Sequence, residues 1–99
     1  MSFVTTQPEM LATAAGNLQG IGSAMAAQSP AAAAPTTKVV PAAADEVSAL
    51  TAAQFAMHAA MYQAVSTQAA AIHDLFLGTL GASAGSYAAT EAANTIATS

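Results

Sequence analysis

The chain has 99 residues, of which 55% are hydrophobic and 6% charged, and its single basic side chain, Lys38, leaves a net charge of -4. One cation can neither displace the counterions of a nucleic-acid backbone nor hold an anionic membrane surface, so both partners are excluded. Zero cysteines remove disulfide staples and thiolate metal sites, and because a soluble monomer covers about a quarter to a third of its surface with charge, so apolar a chain reads as half of an assembly.

The opening Met1-Ser2-Phe3-Val4-Thr5-Thr6 has neither a positive n-region nor a long apolar h-region, so a cleaved Sec-type signal peptide is not expected. A first helix is predicted over about residues 8–34. Pro8 suits the first helical position, and Thr6 with Glu9 matches the S/T-x-x-E capping box. From there Leu11, Ala14, Leu18, Ile21 and Met25 recur at spacings of three and four, a narrow coiled-coil-like seam. Ala15, Gly22 and Ala26 flank it and would let another backbone come close, although Gly16, Gly20 and Gly22 each cost the helix about 1 kcal/mol against alanine. Pro30 is expected to kink or end the helix near Ser29, with Ala31 to Ala34 resuming it.

Residues 35–44, with Pro35, Pro41 and the β-branched run between them, read as the connecting loop. Asp45 is a good N-cap and Glu46 adds negative charge to a first turn, so a second helix is predicted over about 45–80. With Leu50 at zero on a helical wheel, Val47, Met57, Met61, Val65, Ile72, Leu75 and Phe76 fall between about -20° and +80°. Phe55, Tyr62 and Leu80 follow at about +120° to +140°. This band is about twice as wide as the first helix's seam, so the first helix is expected to cover part of it and something else the remainder. The opposite face carries Ala52, Ala56, Ala59, Ala60 and Ala70, and a further packing partner is expected there as well. Gln54, His58, Gln63, Gln68, His73 and Asp74 interrupt every run that approaches the roughly 18 apolar residues of a membrane span, so no direct membrane insertion is expected. Gly78, Gly81 and Gly85 weaken the helix before a small polar segment, so residues 1–86 are read as the hairpin and 87–99 as a flexible tail.

Candidate chemistry is sparse. Gly81-Ala82-Ser83-Ala84-Gly85 fits the G-x-S-x-G nucleophile elbow, but the elbow needs a preceding strand and a later histidine, and His58 and His73 both come before Ser83. A minimal serine esterase is therefore kept only as a remote alternative. On one helix His58 and His73 would stand about 22 Å apart, too far to share a metal. No catalytic residue, cofactor or metal is expected. Gln54 and Gln68 fall in the apolar band, where polar residues can set register and partner choice. Tyr87 and Glu91, at i and i+4, share a face of any helix that forms there, at the end of a hairpin where another protein could read them.

Pro8-Glu9, the alanine-rich hairpin, Val40-Pro41-Ala42-Ala43-Ala44-Asp45, Asp45-Glu46-Val47-Ser48 and Tyr87-x-x-x-Glu91 together resemble the mycobacterial PE family over the whole chain. The resemblance implies an all-α fold, an antiparallel two-helix hairpin that completes a four-helix bundle with a partner, a PPE protein. It also implies a secreted, non-enzymatic protein whose Tyr87 and Glu91 match a Y-x-x-x-D/E signal read by the type VII secretion machinery. Export would follow folding in the cytoplasm, and the destination would be the medium or the cell-envelope surface. A chaperone of the secretion system grips the PPE partner in that family, so it would meet this chain only indirectly. Longer relatives add glycine-rich or hydrolase domains, and this chain reads as the PE domain alone. The expected partner-binding residues are Leu11, Leu18, Ile21, Met25, Leu50, Phe55, Met61, Tyr62, Val65, Ile72, Phe76 and Leu80. The competing reading is a self-associating helical-hairpin substrate of the same systems, against which stands the absence of any tryptophan for the W-x-G turn that such proteins carry.

Overall fold

Two helices make up the computed structural model, which describes residues 6–98: α1 over Pro8–Thr37 and α2 over Glu46–Thr98, with no strand among the described residues. The fold is all-α, and the two helices pack as an antiparallel hairpin. Its contacts divide into two compact units. The loop-side unit is Gly22–Ile72, and the terminal unit joins the described residues of Met1–Ile21 to those of His73–Ser99.

Both helix starts are fixed by local chemistry. At α1 the carbonyl of Gln7 accepts from the N–H groups of Met10 and Leu11 at 3.0 and 3.3 Å, which makes Gln7 the residue that opens the helix and Pro8 its first turn. The expected Thr6–Glu9 capping box does not form, because Gln7 rather than Thr6 holds the capping position, and the Thr6 hydroxyl donates to Glu91 Oε1 at 2.9 Å. At α2 the Asp45 carboxylate accepts from the Ser48 N–H at 3.1 Å and the Ser48 hydroxyl at 2.6 Å, while its carbonyl takes the Ala49 N–H. The Ser48 hydroxyl and then its N–H hold the Asp45 carboxyl below its ordinary value of 3.8.

α1 runs through both Pro30 and Pro35 rather than ending near Ser29 or residue 34. Each proline removes one N–H, and the carbonyls this orphans belong to Ala26 and Ala31, both exposed to water. In the last turn Thr36 donates its hydroxyl to the Ala32 carbonyl at 2.6 Å and Thr37 to the Ala33 carbonyl at 2.7 Å, so both side chains bond back onto the preceding turn. Lys38, whose N–H closes on the Ala34 carbonyl, places the one basic side chain just past a helix C-terminus, where the dipole favours it.

α2 likewise continues past the expected end near residue 80, through all three glycines, to Thr98. None of Gly78, Gly81 and Gly85 has a positive φ. Their helix-breaking cost is offset by the alanines between and after them, by Leu77, Leu80 and Ala84 packed on the α1 side, and by threonine hydroxyls in the final turns. Thr95 donates to the Glu91 carbonyl and Thr98 to that of Asn94, each at 2.9 Å.

The helices meet through small residues. In the loop-side unit the covered positions of α2 are Ser48, Ala52, Ala56, Ala59, Gln63 and Ser66, facing Gly22, Ser29, Ala32, Ala33 and Thr37 of α1. In the terminal unit they are His73, Leu77, Leu80, Ser83 and Ala84, facing Leu11, Ala15 and Leu18. Only Ala52, Ala59 and Ala84 are buried among the described residues. This reverses the sequence expectation that α1 covers the bulky band and leaves the alanine face to another partner. Alanine, glycine and serine let two backbones approach closely and keep more atoms in van der Waals contact than bulky spacers would.

Hydrogen bonds cross this seam within each unit. Gln63 Nε2 donates to the Ser29 carbonyl at 3.0 Å and the hydroxyls of Ser29 and Ser66 lie 3.4 Å apart. In the terminal unit His73 Nε2 sits 2.8 Å from the Leu18 carbonyl. Since that carbonyl only accepts, the ring tautomer with hydrogen on Nε2 is the one that fits.

Ala59→Leu forces volume into the seam and is expected to destabilise the hairpin by about 1–3 kcal/mol, whereas Ala60→Leu on the exposed side is expected to be near neutral; thermal melts by circular dichroism compare them. Asp45→Ala is expected to lower the melting temperature at neutral pH. Because the folded pKa lies below 3.8, the cap's contribution is complete above that value and is lost as pH falls through the folded pKa, so the gap between wild type and variant closes in acid.

Candidate functional site

With the small residues turned inward, the large ones are left outside. In the loop-side unit Met25, Val47, Leu50, Phe55, Met57, Met61, Tyr62, Val65 and Ile72 are all exposed, Met61 to 66%. In the terminal unit the same holds for Met10, Ile21, Leu75, Phe76, Tyr87 and Ile96. The chain exposes 7475 Å², against about 5,100 Å² for a compact monomer of its mass. The excess, roughly 2,400 Å², is the area one side of a large obligate interface removes from water.

The exposed groups are sorted to one side of the helix pair. On α1, with Leu11 at zero, Leu18, Gly22 and Ser29 fall within about 20° of it, while Met25, Ile21 and Met10 fall about 40°, 80° and 100° to its negative side. On α2 in the loop-side unit the covered positions centre about 200° from Leu50, and Phe55 and Tyr62 lie about 60° to 80° to their negative side. In the terminal unit Phe76 and Tyr87 are offset in the same sense. Offsets of one sign on two antiparallel helices point to the same side of the pair. Within the loop-side unit one side of the pair carries Met25 with Phe55 and Tyr62, and within the terminal unit one side carries Met10 and Ile21 with Phe76 and Tyr87. From there the α2 band continues round its back through Leu50, Met57 and Met61.

Nine of the twelve residues expected to bind a partner, Ile21, Met25, Leu50, Phe55, Met61, Tyr62, Val65, Ile72 and Phe76, are thus exposed. Leu11, Leu18 and Leu80 are half-buried on the lanes that face the other helix, which assigns them to the intrachain seam. Gln54 and Gln68 are exposed, and the polar residues that set register are instead Gln63, Ser66 and His73. The signal for them was available in two heptad runs, Ala52, Ala59, Ser66, His73, Leu80 and Ala56, Gln63, Ala70, Leu77, Ala84, a spacing masked by the more hydrophobic residues beside them.

Two surface grooves accompany the band. One, of about 330 Å³, lies in the loop-side unit between Phe55, His58 and Tyr62 of α2 and Pro35, Thr36 and Val39. The other, about 500 Å³, runs along α2 in the terminal unit past Thr79, Ser83, Ser86, Tyr87 and Thr90. Ser83 is half-buried inside a continuous helix, so the strand-to-helix turn of a nucleophile elbow does not exist at Gly81–Gly85. Tyr87 is 47% exposed, and Glu91 is exposed one turn further on with its Oε1 bonded to Thr6.

The sequence profile of the PE family matches residues 4–94. The chain belongs to the PE family. It is 69% identical to the PE family protein PE13 of Mycobacterium tuberculosis over the full length of both chains. It is also 58% identical to PE8 of the same organism over 98% of this chain, and 58% identical to the PE-PGRS family protein PE_PGRS33 over 95% of it. The matched region spans 35% of the PE8 chain and 20% of PE_PGRS33, so the same PE hairpin occurs both alone and as one part of longer relatives.

An apolar face of this size on the isolated PE hairpin is expected to bind the dye ANS and to drive concentration-dependent association. Met61→Glu combined with Phe76→Glu is expected to reduce both without loss of helix, as read by dye fluorescence, sedimentation velocity and far-ultraviolet circular dichroism.

Proposed function

We propose that this PE-family chain is a non-enzymatic interaction protein that pairs with a PPE protein and carries a type VII secretion signal at Tyr87 and Glu91. The observation that carries the pairing is the division of α2 into two lanes, a small-residue lane already occupied by α1 and a bulky lane that the described residues leave exposed. Because exposed apolar residues of both helices lie to the same side of the pair, a further helical hairpin laid along that side yields a four-helix bundle. Helix pairs of this kind bury such faces by coiled-coil-like packing. Membership of the PE family supports the choice of a PPE protein as that hairpin.

On this reading the complex forms in the cytoplasm and is exported folded to the envelope surface or the medium. The secretion-system chaperone reaches it through the PPE chain. Tyr87 and Glu91 have the i, i+4 spacing of the export signal on the last part of α2, where the aromatic ring and the carboxylate lie on adjacent turns. No helix among the described residues is long and apolar enough to cross a membrane, which agrees with a partner face rather than an inserted one.

Co-expression with candidate PPE proteins is expected to raise the solubility of this chain and to yield a one-to-one complex by native mass spectrometry. A monomer that folds cooperatively by itself and gains nothing from any such partner would sink the pairing. Tyr87→Ala or Glu91→Ala is expected to stop export while leaving the heterodimer intact, and loss of the heterodimer instead would reassign both residues to packing.

A further inference from the structure

The hydrogen bond from Thr6 to Glu91 joins residues 85 positions apart, and it lands on one of the two export-signal residues. Its place follows from the seam. The lane of α2 that faces α1 steps by sevens through Ala52, Ala59, Ser66, His73 and Leu80, and the next step is Tyr87. The companion lane steps through Ala56, Gln63, Ala70, Leu77 and Ala84, of which only Ala70 is exposed, and the next step is Glu91. Tyr87 and Glu91 are therefore successive positions of the hairpin's own seam, carried past the point where α1 begins. Opposite them the helix gives way at Gln7, and the residue before it, Thr6, supplies the facing side chain.

We propose that Thr6 is a positioning residue of the export signal, its hydroxyl holding the Glu91 carboxylate in place beside Tyr87, so that the signal is composite and includes the chain just before α1. This rests on the reading of Tyr87 and Glu91 as that signal. A glutamate side chain on an exposed helix samples many rotamers and loses that freedom when a receptor captures it. One hydrogen bond from Thr6 removes part of that loss in advance. A carboxylate has about four acceptor sites, so engagement by a single hydroxyl leaves the rest for a donor on the secretion machinery. The Glu91 backbone is fixed as well, since its carbonyl accepts from Thr95.

The test uses the full-length chain co-expressed with its PPE partner in a secreting mycobacterium, comparing Thr6→Val, which keeps shape and loses the donor, with Thr6→Ser, which keeps the donor, and with Glu91→Ala. Thr6→Val is expected to lower the exported fraction by about three- to ten-fold, the range set by one hydrogen bond of ordinary net strength. Heterodimer yield and melting temperature are expected to stay at wild-type values, and Thr6→Ser to export like the wild type. Normal export of Thr6→Val while Glu91→Ala is blocked would overturn the role of Thr6 and leave the signal standing. Loss of the heterodimer in Thr6→Val, or failure of serine to rescue, would overturn it in favour of packing. Normal export of Glu91→Ala would remove the signal reading itself and the proposal with it.

Discussion

Close approach of two backbones is the constraint from which the rest of this hairpin follows. Where α1 and α2 meet, most residues are alanine, serine and glycine, with a few leucines and a few polar groups that reach across, and the buried side chains among the described residues are three alanines. Such a contact removes little apolar area per residue, and area is what stabilises a small domain. The compensation is partly in bonds. Gln63, Ser66 and His73 each engage α1, at Ser29 or Leu18, so the polar atoms of the seam have partners and the two helices have a register.

The same constraint sets the outer surface. Once the small residues of α2 are committed inward, the helical period forces Leu50, Met57, Met61, Phe55 and Tyr62 outward, over one flank and the back of the helix. A surface so apolar, on a chain with a single lysine, has no charged rim to keep it in water. The hairpin and its outer face thus share one cause: the residues that make the seam thin leave the larger apolar side chains outside it.

Much of this was legible in the sequence, and the failures have physical causes. The two helices, the Asp45 cap and the residues of the outer band follow from hydropathy and local side-chain chemistry. The face that α1 would take did not, because hydropathy ranks Leu50 and Met61 above Ala52 and Ala59, whereas helix pairs close on volume. Pro30, Pro35 and the glycines of α2 argued for ends that do not occur: the carbonyls that the prolines orphan, those of Ala26 and Ala31, are exposed to water, and no glycine of α2 takes a positive φ. Thr6 matched a cap in the one-dimensional pattern, but the helix opens one residue later at Gln7 and the Thr6 hydroxyl donates to a carboxylate 85 residues away. No spacing rule within a single helix reaches that far.

The two lanes of α2 also differ in what change they tolerate. An alanine in the seam has a volume ceiling, and any larger residue pushes the helices apart. On the outer lane one apolar side chain can replace another at less cost to the hairpin, because these side chains are largely exposed. A lineage can therefore rewrite its choice of partner on the outer lane of α2 while the inner lane stays nearly still. Duplicated copies of such a gene could diverge in pairing long before they diverge in fold.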